Sequence, residues 1–372
     1  MTVVSAHEHL PGPTPCSATS SVEAVATALP RPVVSVVLPT FNRPHYLAQA
    51  IQSVLDQTFV HFEVIVTDNG DSAAVRRLVA SFGDVRLRYR SNETNIGLLR
   101  NALAGWAVAR GQYVATLHDD DLWDPAFLQK LVEPLLADPT VSVVFCDGTM
   151  VAASGEPMPR LTEYLSRVMG RAYLRPGLHR PFHEIALVKQ NIMSANAALF
   201  RREHIDWANF PPWVDNIYDL WLSYLASREG WGAYFVKERL VRVRVHPGRD
   251  TFVTGHDAPR LRCYEHFLAD ERLASVRPAL QKVAAGYRLH YALALMGAGE
   301  TATAEQQLTA ARHDHDSIRA ALAVTVAPHP RASRVASRLL KPRYTGPPAP
   351  ARQGLRARIG GRVATWSIRS TA

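Results

Sequence analysis

The chain has 372 residues, 47% of them apolar and 20% charged, enough for one large core or for a catalytic unit with a smaller companion, which excludes disorder throughout. Its formal charge of +9 sits at one end: ten of the 42 basic residues and no acidic ones lie between Arg331 and Ala372, leaving 32 basic against 33 acidic residues elsewhere, so the body is not built to bind nucleic acid. No apolar run reaches membrane-spanning length, no Lys or Arg precedes an apolar stretch in the first thirty positions, and three scattered cysteines (Cys16, Cys146, Cys263) form neither a disulfide framework nor a thiolate zinc site; a cytoplasmic chain is expected.

Residues 1–32, rich in Ser, Thr, Ala and Pro, predict a disordered leader. The β-branched run 33–38 predicts a strand buried on both faces. Residues 44–57 predict a helix, with Leu47, Ala50, Ile51, Val54 and Leu55 on one side and a proline near its start. Strands follow at 62–67, 85–89, 112–117 and 141–146, alternating with helices at 72–82, 97–110 and 125–136. Such alternation is the signature of βαβ crossovers and an open, mostly parallel sheet, which binds ligands beyond the carboxyl ends of its strands. At those ends stand Pro39 to Arg43, Asp68 and Asn69, Asn92 to Asn101, and His118 to Asp121, so the polar groups converge on one edge.

Beyond Asp147 the alternation decays, and 148–183 reads as a mobile loop region without a recognisable element. A second apolar strand is predicted at 196–200, a helix at 216–229 and a strand at 233–245. Residues 260–324 have helical periodicity and predict two or three antiparallel helices.

The strongest chemical feature is the run His118-Asp119-Asp120-Asp121. Adjacent carboxylates repel unless water dilutes their charge or a cation neutralises it, and magnesium or manganese takes oxygen ligands of this kind. The plainer reading is a solvated acidic turn ahead of the following helix. Placement at a strand's carboxyl end, opposite three other polar ends, favours the cation.

Four further segments share this order: Val36-Val37-Leu38-Pro39-Thr40-Phe41-Asn42-Arg43, Gln57-Thr58-Phe59, Glu63-Val64-Ile65-Val66-Thr67-Asp68-Asn69, and Asn95-Ile96-Gly97 with Arg100-Asn101. Together with the aspartate cluster they resemble the family 2 glycosyltransferases over residues 33–250. The resemblance implies an α/β fold of the GT-A kind, a Rossmann-like, mostly parallel sheet with flanking helices, here carrying a C-terminal helical extension. It divides the chain into the leader, a transferase domain at 33–255 with a nucleotide-sugar half (33–147) and an acceptor half (148–255), a helical extension at 256–328 and a flexible basic tail at 329–372. The implied reaction is inverting, metal-dependent transfer of a sugar from a nucleoside diphosphate donor to a hydroxyl acceptor, which a glycan, a lipid-linked sugar or a small natural product all satisfy.

By position, the resemblance sets Thr40, Asn42, Arg43 and Asp68 beside the nucleoside, with Pro39, Asn95, Gly97 and Arg100 in the same binding motifs. Asp119 falls near the ribose and metal, Asp120 becomes the principal ligand of Mn2+ or Mg2+, and Asp121 supports it. His118 departs from the pattern, standing where many members have an acid. The general base belongs at the start of the helix Asp215-Asn216-Ile217-Tyr218-Asp219-Leu220-Trp221, where Asn216 and Ile217 occupy the two positions that are usually Glu-Asp. Asp219 is the first choice and Asp215 the second; the other reading makes both simple helix-start residues. In Val243-Arg244-Val245-His246, Arg244 suits a phosphate and His246 a metal or phosphate contact, although an edge strand with a surface histidine reads equally well. Trp213, Trp221 and Trp231 serve an acceptor platform or, more simply, the core. The tail, with Leu355, Ile359, Val363, Trp366 and Ile368 among its arginines, suits either peripheral contact with an anionic membrane or a solvated end. Two rival functions remain: nucleotidyl transfer to a sugar phosphate, and a non-catalytic nucleotide-sugar binder.

Overall fold

The structure is a computed structural model that describes residues 31–192, 194–246 and 257–314, with a short antiparallel pairing of Arg358–Ile359 and Arg362–Val363. The predicted leader up to residue 30, and the predicted tail apart from that pairing, lie outside the described residues. The elements run β1 (Val34–Thr40), α1 (Pro44–Leu55), β2 (Phe62–Asp68), α2 (Ala73–Ser81), β3 (Leu87–Ser91), α3 (Leu98–Ala107), β4 (Tyr113–Thr116), β5 (Leu122–Trp123), α4 (Phe127–Ala137), β6 (Val141–Ala152), α5 (Pro159–Val168), β7 (Gly177–His179), β8 (Ala198–Arg201), α6 (Tyr218–Ser227), β9 (Gly232–Val245), α7 (Asp257–Ala269), α8 (Arg277–Ala298) and α9 (Thr301–Asp314).

One sheet takes β1 to β9 in the order β3-β2-β1-β4-β8-β6-β9-β5, with β7 added on β9. Strands β3, β2, β1 and β4 are mutually parallel, and β8 then runs antiparallel between β4 and β6. The parallel part lines up Thr40 with Asp68 and Asp68 with Ser91, which brings the strand ends to one edge. β1 has no solvent face: Val36 and Leu38 enter one core with Leu47, Ile51 and Val54 of α1, while Val37 enters the other with Leu99, Ala102 and Trp106 of α3. An unbroken apolar run is what such a strand requires.

At the opposite, amino-terminal edge the buried Glu63 acts as a staple. Its carboxylate accepts Ser35 Oγ at 2.7 Å, Arg88 Nη1 at 2.6 Å and the Arg110 backbone N–H at 2.8 Å. Burial alone would raise this carboxyl, but the bonds from Ser35, Arg110 and Arg88 hold it below the usual range.

The expected loop at 148–183 is corrected by the structure. β6 continues to Ala152, α5 packs on it, and a 3-10 turn (Arg171–Tyr173) and β7 complete the segment. Met158, Leu161 and Leu165 recur at helical spacing and pack against the core, beside a buried polar set. Thr162 Oγ1 accepts the Met150 N–H at 2.9 Å, Ser166 Oγ donates to Asp147 at 2.7 Å, and Arg171 Nε pairs with Asp147 at 2.6 Å, all buried. The strand expected at 196–200 is Ala198–Arg201, preceded by a 3-10 turn.

Of the helices expected over 260–324, the described residues hold α7, α8 and α9, and 315–324 lie outside them. Leu261, Cys263, Tyr264 and Phe267 of α7 share the core that holds Trp221 and Tyr224 of α6. Gln190 ties the two parts further, its side-chain N–H2 donating to the hydroxyls of Tyr264 at 2.8 Å and Tyr287 at 3.0 Å. Both described cysteines, Cys146 and Cys263, are buried free thiols, pushed upward in pKa by burial. Among the described residues no helix is long and apolar enough to cross a membrane.

Candidate active site

The site lies at the carboxyl edge of the parallel strands. Thr40 ends β1, and its hydroxyl donates to Asp119 Oδ2 at 2.8 Å. The chain then turns through Asn42, which holds a left-handed φ of 54° and is exposed, a conformation that Asn tolerates better than most residues. The turn swings Arg43 over the aspartates, where Nη1 lies 3.4 Å from Asp119 Oδ1 and 3.2 Å from Asp120 Oδ2. Pro44 opens α1 at once, its fixed φ suited to a first helical turn. Pro39 is buried within β1, opposite Thr67.

Asp68 ends β2 and is fully buried. Its Oδ2 accepts the Ser72 backbone N–H at 2.7 Å and the Tyr89 hydroxyl at 2.9 Å, whereas Oδ1 has no partner among the described residues. A buried acceptor left open at the ligand edge of an α/β sheet fits a donor supplied by a bound molecule. The Asn-rich segment forms the next wall: Asn69 Nδ2 donates to Asn95 Oδ1 at 2.7 Å, and Asn95 Oδ1 also accepts the Gly97 N–H at 3.0 Å. Gly97 has a φ of +88°, which glycine adopts without strain, and it starts α3. Arg100, one turn into α3, is exposed.

Three aspartates follow β4, and the structure gives each different surroundings. Asp119 and Asp120 are each 5% exposed and Asp121 is fully buried. Burial first, and then the neighbouring Asp120, pushes the Asp119 carboxyl up to about 6, against the opposing pull of Arg43 and Thr40. Asp120 Oδ2 meets His246 Nε2 at 2.9 Å as well as Arg43. Asp121 is engaged by the framework: Oδ1 accepts the Arg244 backbone N–H at 2.8 Å and Oδ2 accepts Asn196 Nδ2 in a very short bond. Arg244 is held likewise. Its guanidinium donates to the carbonyls of Asp120 and Ala153 and to Gln49 Oε1, each at 2.9 Å, and lies 4.9 Å from the centre of the Tyr46 ring. The expected metal supporter and phosphate clamp are thus bonded to one another and to the turn.

One ligand atom from each of His118, Asp120 and Asp121 falls within 4.8 Å of the others. Hard carboxylate oxygens beside imidazoles are a donor set that fits a divalent cation. His118, read in the sequence only as a departure, stands beside these acids with Nε2 3.0 Å from the Tyr218 hydroxyl and Nδ1 3.7 Å from Asp121 Oδ2.

The two candidate bases separate in space. Asp215, in the 3-10 turn Pro212–Ile217, accepts the Leu99 backbone N–H at 2.8 Å through Oδ1, and both its oxygens lie 3.5 Å from where a Cβ on Gly97 would be. It therefore caps α3 from a distant segment and borders the Asn69–Asn95–Gly97 wall. Asp219 Oδ1 accepts the Leu220 N–H beside it at 2.9 Å, and its backbone carbonyl accepts Ser223 Oγ at 2.8 Å. Ile217, in one of the usual acidic positions, is buried in the core. Of the three tryptophans, Trp221 is fully buried, Trp231 stacks on His204 with ring centres 3.9 Å apart, and Trp213 carries Arg262 on its face at 4.6 Å.

The sequence model of the family described as glycosyl transferase family 2 matches residues 35–203. Among curated proteins the chain is similar to the putative teichuronic acid biosynthesis glycosyltransferase TuaG of Bacillus subtilis, 27% identical over 58% of this chain and 80% of TuaG. It is also similar to the UDP-Glc:alpha-D-GlcNAc-diphosphoundecaprenol beta-1,3-glucosyltransferase WfgD of Escherichia coli, 31% identical over 28% of this chain and 41% of WfgD. Among solved structures, S. aureus TarS 1-349 superposes with a TM-score of 0.57 at 16% identity, covering 89% of this chain and 95% of that one. The same TarS fragment in complex with UDP-GlcNAc gives a TM-score of 0.56 at 13% identity over 82% and 88%. At this identity the likeness is one of fold.

Proposed function

Residues 35–203 belong to glycosyltransferase family 2, and from that premise we propose that the chain is an inverting, metal-dependent transferase that moves a sugar from a uridine diphosphate donor to a hydroxyl acceptor. The observation that carries this reading is the meeting, at one sheet edge, of the open Asp68 carboxylate oxygen with the Thr40–Asp119–Arg43–Asp120–His246 cluster. The uridine assignment rests on the UDP-GlcNAc complex of TarS and the UDP-Glc in the name of WfgD, and the lipid-linked acceptor of WfgD makes a polyprenyl-diphosphate glycan the acceptor class to try first. We place the transferase unit at 33–255, with its nucleotide-sugar half before residue 148, and the helical extension after it.

In this reading Asp68 Oδ1 accepts a donor from the base, and Thr40, Asn42 and Arg43 line the nucleoside with Pro39, Asn95, Gly97 and Arg100 around them. Asp120 and His246 would hold a Mn2+ or Mg2+ ion, which when bound neutralises charge on the departing diphosphate. Arg43 adds a second positive charge aimed at the same oxygens, and stabilisation of that kind accelerates the reaction because it grows as charge develops. Asp121 and Arg244 hold the turn in shape.

Asp215 takes the acceptor proton. It stands beside Gly97 at the wall of the site, with Oδ2 unbonded among the described residues, whereas the Asp219 carboxylate bonds the Leu220 N–H of its own helix. The order expected from the sequence is therefore reversed in this proposal. Initial-rate measurement of UDP release from UDP-GlcNAc with Mn2+ tests both parts. Asp215→Asn should lower kcat by at least about a hundredfold, the range of general-base removal, and Asp219→Asn by much less. Binding of UDP-GlcNAc without turnover over a broad acceptor panel would instead favour the non-catalytic binder, which Asn216 and Ile217 in the usual acidic positions make worth testing.

A further inference from the structure

His118 bridges two buried groups from different parts of the chain. Its Nε2 lies 3.0 Å from the hydroxyl of Tyr218, 100 positions away, with the rings edge-on and their centres 6.5 Å apart. Its Nδ1 lies 3.7 Å from Asp121 Oδ2. Tyr218 is 2% exposed and Asp121 fully buried. A buried phenol hydroxyl needs an acceptor, and a carboxylate facing Nδ1 favours a proton on that nitrogen. In a neutral imidazole both requirements select one tautomer, with Nδ1 protonated and Nε2 accepting from Tyr218. Tyr218 is the first residue of α6, directly after the 3-10 turn that carries Asp215.

We propose that His118 is a positioning residue: as the Nδ1–H tautomer it links Tyr218 to Asp121, and so fixes the turn bearing Asp215 relative to the aspartates that gather the donor diphosphate. The link joins the donor side of the site to its acceptor side through side chains that need not touch substrate. An aspartate at 118 does not provide it, because an ionised carboxylate beside Asp121 donates nothing and repels it. With Nε2 engaged by Tyr218 and Nδ1 turned to Asp121, the imidazole supports the shape of the cluster rather than ligating a cation. The proposal deepens the glycosyl-transfer reading and rests on it only for its kinetic arm.

Long-range 1H–15N spectra of the full-length chain, with the His118 signal assigned by its loss in His118→Gln, read the tautomer directly. The Nδ1–H form is expected, giving way to a mixture of tautomers in Tyr218→Phe. An Nε2–H form, or a spectrum indifferent to Tyr218→Phe, overturns the proposal. In the kinetic arm, UDP release from UDP-GlcNAc with Mn2+ is followed for the variants. His118→Ala and Tyr218→Phe should each lower kcat about tenfold, as small misplacements of a reacting group do, with KM within about twofold. The double variant should lose no more than either single change, since the two residues act as one unit. His118→Gln, whose amide can accept from Tyr218 and donate to Asp121, should stay within about threefold of the parent. Losses that multiply in the double variant, or an unchanged kcat in His118→Ala, refute the link. A parent enzyme that does not turn over UDP-GlcNAc counts against the donor assignment alone, and the tautomer then decides the matter.

Discussion

Thr40 donates its hydroxyl to Asp119 Oδ2 at 2.8 Å across 79 positions of sequence, joining the end of β1 to the acidic turn after β4. Both residues are almost inaccessible, so the bond is made away from competing water. The near-isosteric Thr40→Val removes the donor and keeps the shape. It should cost about 1–3 kcal/mol, the usual penalty for a buried acceptor that loses its partner. A lower Tm together with weaker UDP binding by calorimetry is expected; unchanged values of both would mean that the bond contributes nothing.

Asp120 receives both Arg43 and His246. In Asp120→Asn the thermal stabilisation that Mn2+ adds to UDP should disappear, because a ligand raises apparent stability only as far as it binds the native state. UDP alone should still give a shift through Asp68 and the β1 turn. Persistence of the full Mn2+-dependent shift would place the ion elsewhere.

Glu63 offers a control at the far edge of the sheet. Glu63→Ala leaves Ser35, Arg88 and the Arg110 N–H without their common acceptor. Arg88 and Arg110 are 36% and 43% exposed and can turn to water, so the loss is set at about 1–3 kcal/mol, below that of a fully buried pair. Denaturant unfolding should show the drop while UDP affinity stays the same. A change in affinity would show coupling between the two edges.

Asp270 gives the fold an acid limit. Burial would raise its carboxyl, but bonds from Arg272 and Tyr224 dominate and hold it at about 2, against 3.8 for the ordinary group. A depressed carboxyl stabilises the folded state fully above the ordinary value and loses that contribution as pH falls toward the folded one. Unfolding free energy should therefore decline between about pH 4 and about pH 2, and Asp270→Asn should flatten that slope while lowering stability at pH 7. An unaltered acid slope in the variant would assign it to other carboxylates.

Much of the parallel half of the fold is legible in the sequence because its signals are local. The run 33–38 announces β1, Pro44 opens α1, and Gly97 precedes α3, each within a residue or two of the observed boundary. The segment 148–183 mixes two signals: Met158, Leu161 and Leu165 carry the helical spacing of α5, while Thr162, Ser166, Arg171 and Asp147 bury polar groups by pairing them across the segment, which sequence order does not show. β5, two residues long, depends on Leu122 and Trp123 meeting Arg242 and Val241 of β9, which no local pattern encodes.

The order of residues determined the family likeness, the edge on which the polar strand ends gather, and the set of acids available there, since strand alternation and turn chemistry are short-range properties. Which partners each acid meets was decided only in three dimensions. Asp120 faces Arg43 and His246, Asp121 is bonded to Asn196 and the Arg244 backbone, Asp215 reaches back to Leu99, and Asp219 bonds the Leu220 N–H within α6. Neighbours in sequence diverge in this way because a carboxylate's role follows from the donors and charges around it, and those are supplied by segments as many as 126 positions away.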